Sequence, residues 1–180
     1  MWQKTKLVCA LIAVFAFIAF FHSHCLAWQG QVVGVLDGDL FAVSHDNVIE
    51  NIRLYGIAAP KRGQPFWEQS GALARHLANQ KIVEVTPLFK GSDGIDNGLV
   101  RIDGSKDYLN VELISHGFAW VKPTECSAHI CAEWRGLENL ARSNAIGLWA
   151  DPAPVPPWEW QKEQRMKIRE DSQKQEKPAK

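Results

Sequence analysis

The sequence predicts an α+β domain, a small, partly open five-stranded barrel of the OB type that carries about three helices. Two observations predict it. Short β-branched segments recur between tight-turn signals, and segments of helical period lie among them, ended by glycines.

The first strand is Gln31-Val32-Val33-Gly34-Val35-Leu36, closed by the turn signal Asp37-Gly38-Asp39. Leu40 to Val43 resumes as a second strand, Asp46-Asn47 turns the chain again, and Val48 to Ile57 forms a third strand that carries Arg53. Three such strands joined by tight turns make a meander. Pro65 opens a helical segment running to about Gln80, with Phe66, Ser70, Leu73, Ala74 and Leu77 at helical spacing on one side. Lys81 to Thr86 alternates like a strand, residues 91–98 read as a loop, and Leu99 to Ile102 is the fifth strand. Leu109 to His116 is a short helix stopped by Gly117. The last helix runs from Ala132 to Asn144, with Trp134, Leu137, Leu140 and Ala141 facing the core, and Gly147 ends it. Pro152 to Pro157 is a stiff extended exit before Trp158-Glu159-Trp160.

The flanks divide the chain into three parts. Lys4 and Lys6 precede an unbroken apolar run from Leu7 to Phe21, and small residues stand at the cleavage-determining positions up to Ala27. Residues 1–27 therefore read as a signal peptide, because that run falls short of the roughly 20 residues a spanning helix needs. The reading implies export, to a periplasm or the outside of the cell, and no stable membrane span after processing. Residues 28–160 form the domain, and residues 161–180 a charged tail with little to bury, expected to be disordered or a frayed solvated helix. Residues 28–160 hold 11 basic and 16 acidic residues, a net of −5. A broad basic surface of the kind that supplies most non-specific nucleic-acid affinity is thereby excluded for the domain as a whole, though a local patch is not. Of the cysteines, Cys126 and Cys131 survive processing, and in an exported chain they read as a disulfide pinning a short loop. His129 alone between them makes a weak metal site.

Six segments in order carry a resemblance to a known family. They are Val32 to Leu40 with its Asp37-Gly38-Asp39, Ile52-Arg53-Leu54-Tyr55-Gly56-Ile57-Ala58-Ala59-Pro60-Lys61, Gln64-Pro65-Phe66, Leu109 to Val121, Glu138 to Trp149, and Pro156-Pro157-Trp158-Glu159-Trp160. Together they resemble the staphylococcal-nuclease (thermonuclease) family across nearly all of residues 31–160. The resemblance implies phosphodiester cleavage of DNA or RNA with one calcium, a glutamate that positions water, and two arginines that neutralise charge on phosphorus.

Position by position, the match keeps some of that chemistry and lacks the rest. Asp39 fills the first calcium-ligand position, with Asp37 nearby, but Ala58 stands at the second and offers no side-chain oxygen. Lys61 stands where the base should be, and an ammonium cannot accept a proton. Arg53 matches the first arginine, and the second position falls on Asn97 or Leu99 depending on register. Arg101 could replace that arginine only from the opposite face of its strand, and Glu68 reads as a surface residue. Losing one preorganised charge-stabilising group commonly costs about 10²–10³ in rate.

The expectation is therefore an exported domain of this family, inactive or strongly impaired, that acts as a monomeric binding module and needs no cofactor. Its partner is a nucleic acid or a phosphorylated or acidic ligand. Arg53 and Lys61 either form a metal-free anion site, or Lys61 closes an internal ion pair with Asp39 or Asp37. The alternatives are an active or weak calcium-dependent phosphodiesterase (endonuclease) on DNA or RNA, and an envelope structural protein working through its tail.

Overall fold

Alternating burial along the first strands sets the barrel. The computed structural model describes residues 27–126 and 128–176; the predicted leader up to Leu26 lies outside the described residues. In β1 (Trp28–Asp37) Val32 is fully buried while its neighbours Gln31 and Val33 are exposed. In β2 (Leu40–His45) Phe41 and Val43 point inward, as do Ile52 and Leu54 in β3 (Val48–Leu54). The three strands pair as an antiparallel meander. After the two-residue β4 (Ile57–Ala58) come helix α1 (Trp67–Ala78) and strands β5 (Ile82–Lys90) and β6 (Asp96–Ile102). The helix α2 (Leu109–Ser115), the short β7 (Trp120–Val121), α3 (Ala128–Ser143), a 3₁₀ turn at Gly147–Ala150 and α4 (Pro157–Glu176) complete the chain.

The barrel closes in the order β1-β2-β3-β6-β5, with β5 returning antiparallel to β1. It is thus closed rather than partly open, and β3 and β6 are its one parallel pair among the described strands. That parallel pairing corrects the predicted loop: Asp96, Asn97 and Gly98 align with Ile52, Arg53 and Leu54 and belong to β6. Sequence periodicity could not show it, because non-local pairing overrides the weak strand propensity of Asp, Asn and Gly.

Val32, Phe41, Val43, Ile52, Leu54, Val83, Val85 and Val100 fill the barrel, and Leu109, Leu113, Ile114 and Trp134 extend that core beneath α2 and α3. Gly117 ends α2 as expected, at φ +69°, with Gly117 N–H bonded to Ile114 and Phe118 N–H to Leu113. Leu140 departs from expectation: it is 60% exposed. On α3 it lies about 100° round the helix from the centre of the Trp134–Ala141 face. Glu138 lies within that face instead, 8% exposed, accepting from the Val121 N–H at 3.3 Å.

A second cluster of Trp120, Ala141, Leu148 and Trp149 receives Phe66 and Trp158 at its edge. It anchors the start of α4, which then continues through Glu176 as a helix, largely exposed from Gln161 to Lys174, the second of the two expected forms of the tail. The local reasons are legible in retrospect. Pro157 takes the first helical position, Glu159 lies in the first turn, and Glu163–Lys167 and Glu170–Lys174 stand at i, i+4 spacing in the favourable order. Among the described residues no helix is long and apolar enough to cross a membrane.

Cys126 and Cys131 are bonded, closing a five-residue separation at the start of α3. The bond packs against Gly56, where an added Cβ would sit 3.0 Å from the Cys126 sulfur. Replacing both cysteines by serine is expected to lower stability by about 2 kcal/mol, the loop-closure value for so short a ring. Denaturant unfolding of the double variant checks this, and an unchanged midpoint would contradict it.

Candidate active site

The turn that joins β1 to β2 brings two carboxylates to one end of the barrel. Asp37 ends β1, and Asp39 follows across Gly38, whose missing Cβ leaves room for the Ser70 hydroxyl and the Ala59 methyl. The Asp39 backbone carbonyl accepts from Leu54 N–H at 2.9 Å, which ties the turn to the end of β3. Its side chain is 1% exposed, and one carboxylate oxygen accepts from the Ala59 N–H at 3.1 Å.

Lys61 satisfies the rest. Its Nζ lies 2.6 Å from Asp39 Oδ1 and 2.9 Å from Asp37 Oδ2. The other Asp37 oxygen accepts from the Trp67 indole N–H at 2.8 Å and from Gly38 N–H at 3.2 Å. Lys61 is placed by its own backbone N–H, which donates to Gln64 Oε1 at 3.0 Å, while Gln64 Nε2 donates to the Val155 carbonyl at 2.6 Å. Trp67 is placed by Phe66, which takes a left-handed conformation at φ 65° immediately before α1. For a bulky residue that conformation costs on the order of 1–3 kcal/mol, held in place by the surrounding packing. Burial works against the Lys61 charge, yet Asp39 and then Asp37 outweigh it, so its pKa stands above the ordinary lysine value.

Arg53 projects from β3 toward the same end and donates to Asp93 Oδ2 at 2.7 Å. That hydrogen bond, with one from Ile95 N–H, holds the Asp93 carboxyl below its usual range. A cleft of about 570 Å³ opens over these groups. Its floor includes Asp39, Arg53, Ala58 and Lys61, one wall is Lys122 to Glu125, and Trp158 and Gln161 of α4 form the far rim. Lys122 is itself paired, with Glu125 at 2.6 Å. Each cation lining the cleft therefore already has a carboxylate partner.

The structure brings Asp37, Asp39, Ala58, Lys61 and Arg53 together. Asn97 lies in register beside Arg53 but is 3% exposed and folds its amide back onto the Ile95 carbonyl at 3.1 Å. Leu99 pairs with Thr86 and does not line the cleft. Arg101 lies at the β5–β6 surface, bonded to Glu84 at 2.7 Å, and Glu68 is exposed on α1. Cys126 and Cys131 are bonded to each other and do not line the cleft. Sequence reasoning missed Trp67, Asp93 and Trp158 as parts of the site. Only Asp93, in a glycine-rich loop facing the predicted Arg53 strand, left a usable signal.

The calcium implied by the resemblance does not fit this donor set. Calcium takes six to eight oxygens, whereas Ala58 supplies no side-chain oxygen and an ammonium already sits between the two carboxylates. Among the described residues no three histidine, cysteine, aspartate or glutamate side chains converge on a possible metal position.

A closed mixed barrel with a polar cleft at the β1–β2 turn defines the class, and comparison with known proteins defines the family. The family described as Staphylococcal nuclease homologue matches residues 51–151. An uncharacterized endonuclease of Escherichia coli O157:H7 is 34% identical over 138 residues, covering 76% of this chain and 86% of the relative. A Haemophilus influenzae protein, also described as an uncharacterized endonuclease, is 31% identical over 144 residues, covering 79% and 78%. The micrococcal nuclease of Shigella flexneri is 30% identical over 151 residues, covering 76% and 83%. The chain belongs to the staphylococcal nuclease family.

Replacing Lys61 by methionine leaves Asp37 and Asp39 facing each other without a cation. The variant is expected to lose about 3 kcal/mol at neutral pH. Because the Lys61 pKa is raised in the fold, the ion pair contributes fully below the ordinary lysine value of 10.5 and is lost only as pH climbs through the higher folded value. The stability gap between wild type and variant should hold from neutrality to about pH 10 and narrow above it. Urea unfolding at a series of pH values measures that gap. Equal stability at neutral pH would contradict the assignment.

Proposed function

We propose that this chain is an exported nuclease-family domain that does not cleave and acts by binding. One observation carries the reading: the Lys61 ammonium stands between Asp37 and Asp39, at 2.9 and 2.6 Å, and the family resemblance assigns Lys61 to the position of the water-activating base and Asp39 to that of a metal ligand. An ammonium held there can neither accept a proton from water nor leave room for a divalent ion. With Asn97 turned away, Arg53 alone faces the cleft as an arginine, and it is tied to Asp93.

The same pairing argues against a strong anion site in the cleft floor. A phosphate drawn to Arg53 and Lys61 must displace Asp93, an exposed partner that gives way readily, and must also break the buried Lys61–Asp39 pair, which costs about 3–5 kcal/mol. Phosphate therefore competes poorly there, and binding falls to other surfaces. The second reading, a weak calcium-dependent phosphodiesterase, draws on retained Asp39 and Arg53 and on relatives whose printed names are endonuclease and micrococcal nuclease.

An assay of the oxidised exported protein, its start at Trp28 checked by intact mass, separates the readings. With single-stranded and duplex DNA and with RNA, cleavage should not exceed the buffer control in either calcium or chelator. Calcium-dependent product that disappears in Asp39→Ala would overturn the proposal.

A further inference from the structure

The charges of α4 are sorted by face. Successive residues of a helix turn by about 100°, so Trp158, Gln161, Lys162, Arg165 and Arg169 fall within a sector of roughly 100°. Trp158 and Gln161 line the cleft. The sector that begins at the cleft rim thus continues outward as Lys162, Arg165 and Arg169, all exposed, over about 10 Å of helix. Glu159, Glu163 and Glu170 lie on a different sector, and Lys167 and Lys174 stand one turn after Glu163 and Glu170. The lysines of that second face have a glutamate four residues before them, although no ion pair joins them among the described residues. The three cations of the first face engage no ion pair or hydrogen bond among the described residues, in contrast to Arg53, Lys61 and Lys122 inside the cleft.

We propose that this stripe is a docking surface for single-stranded nucleic acid, whose phosphates lie along Lys162, Arg165 and Arg169 and lead one base to Trp158 at the cleft rim. The inference rests on the binding-module reading and names its partner and its surface. Three features favour this occupant. Unpaired arginines and a lysine at regular intervals match a polymer of phosphates. An aromatic face at the end of the stripe supplies base stacking, which is sequence-tolerant. The body carries the acidic excess, while α4 from Gln161 to Lys174 is exposed at every position but Gln164, so a bound strand is held away from repulsive charge. An anionic lipid surface fits less well. A helix lying on lipid needs one apolar face, but Met166 and Ile168 point about 160° apart.

Fluorescence anisotropy of a labelled oligothymidylate, titrated with purified protein in chelator at several salt concentrations, tests the proposal. Wild type should bind at low salt, and log affinity should fall linearly with log salt. The triple variant Lys162→Glu, Arg165→Glu, Arg169→Glu should bind at least about tenfold more weakly, with the salt slope reduced by about 2. A control reversing Lys167 and Lys174, with helix content checked by circular dichroism in both, should keep most of the affinity. Absent binding by wild type, an unchanged triple variant, or equal loss in the control would each overturn the docking surface. So would association with phosphatidylglycerol vesicles in place of the oligonucleotide. Cleavage of the oligonucleotide on adding calcium would instead count against the non-cleaving reading, so the two failures are distinguishable.

Discussion

The contact between the Lys61 ammonium and the carboxylates of Asp37 and Asp39 is the constraint around which this end of the barrel is arranged. A buried carboxylate is tolerated only when its oxygens are satisfied. Asp39 is 1% exposed and has two donors, the Ala59 N–H and Lys61. Asp37 has three: the Trp67 indole, the Gly38 N–H and Lys61. The ammonium is the one donor the two share, so removing it would leave both short at once. Gln64 and the left-handed Phe66 make local sense as the devices that fix Lys61 and Trp67 in place.

That arrangement has a consequence for charge across the molecule. Inside the cleft each cation is spent on a neighbouring carboxylate, whereas the cations left open to a ligand include those on the outer face of α4. A nuclease-type site concentrates positive charge where phosphate reacts. Here the three cations of the cleft are paired, and the cations of the α4 stripe beside it are not. Trp158 joins the two regions, packed on the Trp120 and Trp149 cluster on one side and lining the cleft on the other.

Much of this could be read from the sequence, and the misses have physical causes. The meander was legible because short β-branched segments lie between the turn signals Asp37-Gly38-Asp39 and Asp46-Asn47, and the end of α2 because Gly117 supplies a left-handed position. The first residues of β6 were not, since Asp96, Asn97 and Gly98 become strand only by lying against β3 and β5. Arg53, Asp39 and Lys61 could be placed together from motif spacing. Asp93 and Trp67 could not be paired with them, because each partnership spans 30 or more residues and depends on side-chain direction. The hydrophilic composition of residues 161–180 left both a disordered tail and a solvated helix open. The helix that forms has a proline at its first position, an acidic first turn and favourable charge spacing rather than a buried face beyond Trp160. Few sequence patterns distinguish that from a solvated tail.

The most direct measurement of the central claim is nitrogen-edited NMR of the lysine side chains. An ammonium fixed by two carboxylates exchanges its hydrogens slowly, so one protected ammonium resonance should be visible at neutral pH. It should vanish in Lys61→Met and keep its position when millimolar calcium is added. If no protected ammonium is seen, or if calcium displaces it, then Lys61 does not hold the place of a cation and the account fails.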